Sequence, residues 1–320
     1  MTNGYLFREY IGAQFTGVRF SDVPVNTGVS LHFILAFAID YLASQQSKPT
    51  PTNGVFKPFW DTGNLTPAAM AATKAAHPNL SIMVSIGGDT VQNTGVNATY
   101  APTSVDSWVA NAVSSLSAMI NQYGLDGVDV DYEHFGTDVD TFVEGIGRLL
   151  TQLKARFPNI RTSSGVASPT CQDYGEIPGW SMDHPVHPLD TPLRTSIAPY
   201  ELPVNQKYYQ ALWRKYSGVI DYVNFQFYGY GANTVVQYYV QFYDEQARNY
   251  PGSGGTKLLA SFKTGNVTGL LSPDQGISGA KELQRQGKLP GIFIFSADSS
   301  KMSPYLFKYE TQAQQLVANH

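Results

Sequence analysis

One stretch of the chain concentrates groups able to do acid–base chemistry: Gly124-Leu125-Asp126-Gly127-Val128-Asp129-Val130-Asp131-Tyr132-Glu133. Four of the chain's 25 acidic residues fall between positions 126 and 133, where even scatter would place fewer than one. The alternation predicts a strand over Gly127–Tyr132, and a strand sends successive side chains to opposite faces. Asp129, Asp131 and Glu133 then share one face, while Val128, Val130 and Tyr132 take the other. Three carboxylates on an enclosed face do not all ionise, because desolvation and mutual repulsion both favour the neutral form. At least one proton stays in the cluster near neutral pH, which is the state a general acid requires. Glu133, outermost, is placed to reach a substrate. Asp131, one pleat below, can stabilise positive charge or share a proton with Glu133 or Asp129. A solvated edge strand or a calcium-binding run also uses acids. The flanking valines argue against an edge, and a calcium loop wants a flexible turn with more oxygen donors.

Such a strand needs a scaffold that buries one face and opens its end to solvent. Short apolar runs predict strands at Leu6–Gly12, His32–Ile39, Leu80–Ile86, Gly127–Tyr132, Ile160–Val166, Val219–Phe227, Lys257–Phe262 and Gly291–Phe295. Helical spacing falls between them at about 66–76, 104–123, 137–156, 205–216, 234–249, 277–287 and 303–318. Eight strands alternating with helices over 320 residues predict an α/β fold, a single (β/α)8 TIM barrel spanning 1–320. A doubly wound open sheet would call for a GxGxxG turn or a P-loop, and the sequence has neither. Two long loops are predicted at the C-terminal face, where barrels build their sites. One follows strand two, Asp40–Asn64, with Phe56, Phe59 and Trp60. The other is placed after strand five, at about 168–204, and is rich in proline and aromatics.

Asp-Gly-Val-Asp-Val-Asp-Tyr-Glu at 126–133 resembles the strand-four signature of glycoside hydrolase family 18, the chitinases and their relatives. Ser85-Ile86-Gly87-Gly88 resembles that family's Ser-x-Gly-Gly signature on strand three. Ala36-Phe37 fits the end of strand two and Gln226-Phe227-Tyr228 fits strand six. Phe7-Arg8-Glu9-Tyr10-Ile11-Gly12 is most similar to the plant class III-type branch of bulb chitinases and narbonin-like proteins. The resemblance implies a retaining, substrate-assisted cleavage of β-1,4-linked N-acetylglucosamine polymers, one of the exceptions to two-carboxylate glycoside hydrolysis. It casts Glu133 as general acid, Asp131 as the group that orients the acetamido function, Asp129 as the residue tuning Asp131, and Tyr228 as donor to the acetamido oxygen. Tyr10, Phe37, Ser85, Gly87, Gly88, Gln226 and Phe295 are implied to contact substrate. The family usually carries tryptophan where this chain has Phe295, a smaller stacking face without an indole N–H. Relatives on this fold include non-catalytic lectins, inhibitors and storage proteins, which is the alternative reading.

Composition narrows the partners. Charged residues make up 14%, net charge is −4 and the basic residues are scattered, which argues against nucleic acid. No apolar run approaches the ~20 residues of a membrane span. Aromatics reach 13%, with 20 Tyr, a composition suited to sugar surfaces. Chitin or chitooligosaccharides are the expected partners, without cofactor or metal, and a monomer is expected. The single Cys171 allows no internal disulfide. Asp183-His184-Pro185-Val186-His187 offers metal donors but has no second ligand cluster. The start, Met-Thr-Asn-Gly-Tyr, shows no leader, and sequons stand at Asn64, Asn79, Asn97 and Asn266. Localisation is left open between cytoplasmic and secreted or vacuolar.

Overall fold

A computed structural model of the chain describes residues 4–44, 47–161, 190–252, 257–265 and 268–319. Its parallel strands are β1 Leu6–Ile11, β2 Ser30–Ile39, β3 Leu80–Gly88, β4 Gly127–Tyr132, β5 Arg194–Ile197, β6 Tyr222–Val223, β7 Ala260–Lys263 and β8 Gly291–Phe295. They lie in the order β6-β5-β4-β3-β2-β1-β8-β7. A parallel bridge between Val223 and Leu258 joins the two ends, with Leu259 N–H donating to the Val223 carbonyl at 2.9 Å. The strand order therefore closes on itself as a barrel.

Helices α1 Pro67–Ala76, α2 Val105–Tyr123, α3 Val139–Arg156, α4 Pro203–Tyr216, α5 Val236–Asn249 and α6 Pro273–Arg285 follow β2 to β7 in turn. Helices α7 Ala297–Met302 and α8 Lys308–Ala318 follow β8. Between β1 and β2 a single 3₁₀ turn at Phe20–Asp22 stands in for a helix. The helix starts are written locally: Thr66, Ser104, Asp138 and Ser272 each accept the backbone N–H three residues on. Helix α3 stops before Pro158, which would leave a turn without its N–H.

Period two sorts the barrel into layers. Val128, Val130 and Tyr132 join Ile82, Val84 and Ile86 in the core between strands and helices. Tyr10, Ile34, Met83, Leu259 and Phe293 fill the interior of the barrel. Polar groups complete that interior: Arg8, buried, donates to Asn224 Oδ1 and to Ser196 Oγ, both at 3.0 Å.

The fifth strand departs from expectation. Ile160–Arg161 pairs antiparallel with Asp190–Thr191 in a ribbon apart from the barrel. The segment that pairs with β4 is Arg194-Thr195-Ser196-Ile197. Its Ser and Thr turn polar groups to buried partners, so it carries little apolar signal. Of the segment predicted after strand five, residues 190–193 precede β5 and 198–204 follow it toward the mouth, while 168–189 lie outside the described residues. Cys171, Asp183 to His187 and Asn266 lie outside the described residues.

The loop after β2 is where it was expected, but its aromatics do not project. Phe56, Phe59 and Trp60 are buried. Asp40 anchors this loop, accepting from Trp108 Nε1 at 3.0 Å, Tyr132 OH at 2.8 Å and Gly54 N–H at 3.1 Å. Burial raises the Asp40 pKa, and these three donors pull it back.

Candidate active site

Asp129 lies at the centre of the barrel and collects donors from β1, β3 and β5 and from the residue that follows β6. Tyr10 OH at 2.6 Å and Ser85 Oγ at 2.8 Å donate to one carboxylate oxygen; Asn224 Nδ2 at 2.9 Å and Ser196 Oγ donate to the other. Arg8 braces Asn224 and Ser196 from below, so a buried cation supports the carboxylate through two intermediaries.

Asp131 stands one pleat higher and is almost wholly buried. Gln226 Nε2 donates to its Oδ1 at 2.7 Å and to the Ala198 carbonyl at 3.0 Å. Tyr228 OH donates to Gln226 Oε1 at 2.9 Å, so Gln226 joins tyrosine to carboxyl. Desolvation, reinforced by the charges of Glu133 and Asp129, drives the Asp131 pKa well above the carboxylate range.

Glu133 follows the last residue of β4 and is half-buried. Helix α4 fixes its backbone: Asn205 Nδ2 donates to the Glu133 carbonyl at 3.2 Å, and Tyr209 OH to the Tyr132 carbonyl at 3.0 Å. Burial first, and then the charge of Asp89, raise the Glu133 pKa to about 7; Gln226 and Lys263 oppose the rise. The outermost group of the cluster therefore carries its proton up to neutral pH, one pleat above a second carboxyl with its own raised pKa.

Residues 13–258 match the family described as Glycosyl hydrolases family 18. The chain belongs to glycoside hydrolase family 18. Chitinase 1 of Tulipa saxatilis subsp. bakeri is 48% identical over 320 residues, covering all of this chain and 89% of that protein. Two solved structures share the fold along nearly the full length. The catalytic domain of a family GH18 chitinase from the fern Peteris ryukyuensis is 47% identical with a TM-score of 0.81, over 98% of this chain and all of that one. The family 18 chitinase of Crocus vernus is 39% identical with a TM-score of 0.80, over the same shares.

In this family 18 barrel the predicted residues divide by depth. Glu133, Asp131, Gln226, Tyr228, Phe37 and Phe295 gather about the mouth, where Tyr228 and Phe295 have ring centroids 6.0 Å apart. Tyr10 and Ser85, implied by the resemblance to contact substrate, are fully buried beneath the acids, where both donate to Asp129. Gly87 and Gly88 serve packing. Both have φ near +90°, and an added Cβ would come within 2.9 Å of the Tyr132 ring at Gly87 and 3.0 Å of the Phe37 ring at Gly88. Asp126 sits at the foot of β4, bound by Lys74 Nζ and Ile82 N–H, each at 2.7 Å. Among the described residues no cluster of three or more His, Cys, Asp or Glu could hold a metal.

Sequence reasoning missed Arg8, Ser196, Asn224, Asp89 and Lys263. Arg8 and Asn224 sit two residues before Tyr10 and Gln226 and so share their inward faces; period two could have found them. Ser196 was lost with the fifth strand. Asp89 and Lys263 each lie one residue past the predicted or family-like segment, at a strand end.

Proposed function

We infer that the chain is an endo-acting chitinase that cleaves β-1,4-linked N-acetylglucosamine polymers with retention, the substrate's own acetamido group serving as nucleophile. In this mechanism Glu133 donates its proton to the glycosidic oxygen as the bond to the anomeric carbon breaks. The acetamido carbonyl oxygen attacks that carbon and forms an oxazolinium ion. Asp131 accepts from the acetamido N–H and balances the positive charge, Tyr228 turns its hydroxyl from Gln226 to the acetamido oxygen, and Phe295 underlies the sugar. Water, deprotonated by the Glu133 carboxylate, then opens the ring and restores the acid. The observation that carries this reading is Glu133, half-buried at the end of β4 two residues beyond buried Asp131, where burial and the charge of Asp89 push its pKa up to about 7.

The test is product release from chitotetraose and longer oligomers at mildly acidic pH. The unmodified chain should release short oligomers, and Glu133→Gln should lose roughly a thousandfold in kcat/KM while still binding. Binding without release by the unmodified chain would make it a glycan-binding protein instead.

A further inference from the structure

Four triplets of the form Asn-x-Ser/Thr mark asparagines with the motif for an N-linked oligosaccharide. The linkage replaces one of the two protons on the side-chain Nδ2 with the anomeric carbon of a sugar. One N–H is left, and the sugar takes the place of the other. Each triplet within the described residues is therefore judged by how many amide protons the fold already uses, and by whether a bulky group fits beyond them.

Asn79 uses both protons. Its Nδ2 donates to the Asn26 carbonyl at 3.1 Å and to the Val29 carbonyl at 2.8 Å, which ties the turn before β2 to the foot of β3. A sugar on Nδ2 would break one of those bonds and push against the backbone that supplies the acceptor. Asn64 uses one proton, donating to Asp61 Oδ2 at 2.9 Å. Its obstacle is covalent. Pro67 follows Thr66 and restricts it to extended backbone, with φ −86° and ψ 160°. That opposes the turn that carries the threonine hydroxyl back to the amide. Asn266 lies outside the described residues.

Asn97 differs on each count. It is exposed, in the connection between β3 and α2 at the rim of the mouth. Its Nδ2 lies 3.3 Å from His134 Nδ1, and His134 Nε2 lies 2.7 Å from Asp89 Oδ1. With Nε2 carrying the proton, Nδ1 accepts one N–H of Asn97. Among the described residues no acceptor takes the other. A linked asparagine keeps one N–H, so the bond to His134 survives the linkage. The main chain around it is held independently: Ala98 N–H donates to the Asp89 carbonyl at 2.9 Å, and Thr99 N–H to Tyr41 OH at 3.2 Å. The Thr99 hydroxyl lies 3.4 Å from the Asn97 carbonyl, close to its own asparagine.

We propose that, when the chain is made in a secretory compartment, Asn97 carries an N-glycan while Asn79 and Asn64 stay bare in the folded product. The donor is a lipid-linked oligosaccharide diphosphate. Nδ2 of Asn97 forms the bond to the anomeric carbon, the bond from that carbon to the phosphate oxygen breaks, and the lipid diphosphate leaves. The displaced amide proton passes to a base of the transferase. The assignment needs no substrate in the cleft, so it stands or falls apart from the chitinase reading.

The full chain is directed into the secretory pathway of a eukaryotic cell behind a cleavable leader, and the folded protein is recovered from the medium or the secretory lumen. Glycans are released enzymatically in heavy-oxygen water, which labels each formerly linked asparagine, and mass spectrometry reads the label site by site. Asn97 should be labelled in most molecules, with Asn79 and Asn64 unlabelled. Asn97→Gln and Thr99→Ala should each abolish the label at position 97, and Thr99→Ser should keep it. A thermal melt shows that each variant is folded, and the map of the unmodified chain decides alone where one is not. An unlabelled Asn97, or folded protein labelled at Asn79 or Asn64, overturns the proposal.

Discussion

Besides burial, Glu133 is set by Asp89, Gln226, Lys263 and Glu201, and each of them can be changed singly. Its acid form is the active one in proton donation, so activity should fall as pH rises through about 7. The negative charge of Asp89 holds that value up, and this residue stands largely in solvent, 2.7 Å from His134 Nε2. Asp89→Asn removes the repulsion. The alkaline limb of the kcat profile should then move to lower pH, by roughly a few tenths of a unit because the site is partly screened. A kcat profile measured across pH 5–9 checks this, and a limb that stays in place or moves upward contradicts it. Gln226 acts differently: it bridges Tyr228 and Asp131, and its loss would unseat both at once.

At the scale of elements, β1 shows how one strand serves two interiors. Arg8 and Tyr10 point into the barrel, while Glu9 points out against α7 and α8. There it is fully buried, and neither of its oxygens meets a donor. It faces Glu310, whose other contact is the hydroxyl of Ser300, with Asp298 nearby. Desolvation first, then the charge of Glu310, raise the Glu9 pKa well above the ordinary glutamate value. The folded chain thus keeps a proton that the unfolded chain gives up. This contribution to stability is complete at low pH and is lost as pH climbs through the folded pKa. Glu9→Gln should therefore raise Tm by about 2 °C or more at pH 8 and bring little or no gain at pH 4, as read by calorimetry. The same strand shows what is legible in a sequence. The inward parity of Asp129, Asp131 and Glu133 was plain from spacing, as were most strands and helices around them. Glu9 facing Glu310 was not, because the two lie 301 positions apart and only the packing of α8 on β1 brings them together. Strand β5 was misplaced for a related reason: Arg194-Thr195-Ser196-Ile197 has one apolar residue and turns its Ser and Thr to buried partners, so no apolar alternation marks it as a strand.

At the scale of the molecule, the barrel separates its two ends. The residues gathered at the mouth lie at or just past the C-terminal ends of β2, β3, β4, β6, β7 and β8. The long segment between α3 and β5 leaves and returns at the other end. There Ile160 pairs with Thr191 and Arg161 with Asp190, while Leu193 N–H donates to the Phe157 carbonyl at 3.1 Å. Those pairs hold the flanks side by side. Replacing 162–189 with a two-residue Asn-Gly turn should therefore leave the strand order intact. The shortened chain is expected to melt within a few degrees of the full one and to keep kcat/KM on chitooligosaccharides within about twofold. A collapse of either would show that 162–189 carries contacts the barrel needs.

The column of Arg8, Ser196, Asn224 and Asp129 has a consequence for where protons travel. Among the described residues, these groups and the packed rings around them fill the barrel beneath the acids, which leaves the mouth as their route to solvent. When a ligand covers that mouth, the cluster is left with the protons it held at closure. The protonation state from which the first bond is cut is then set at the moment of binding, and the pH that matters for that step is the one the open cleft last met.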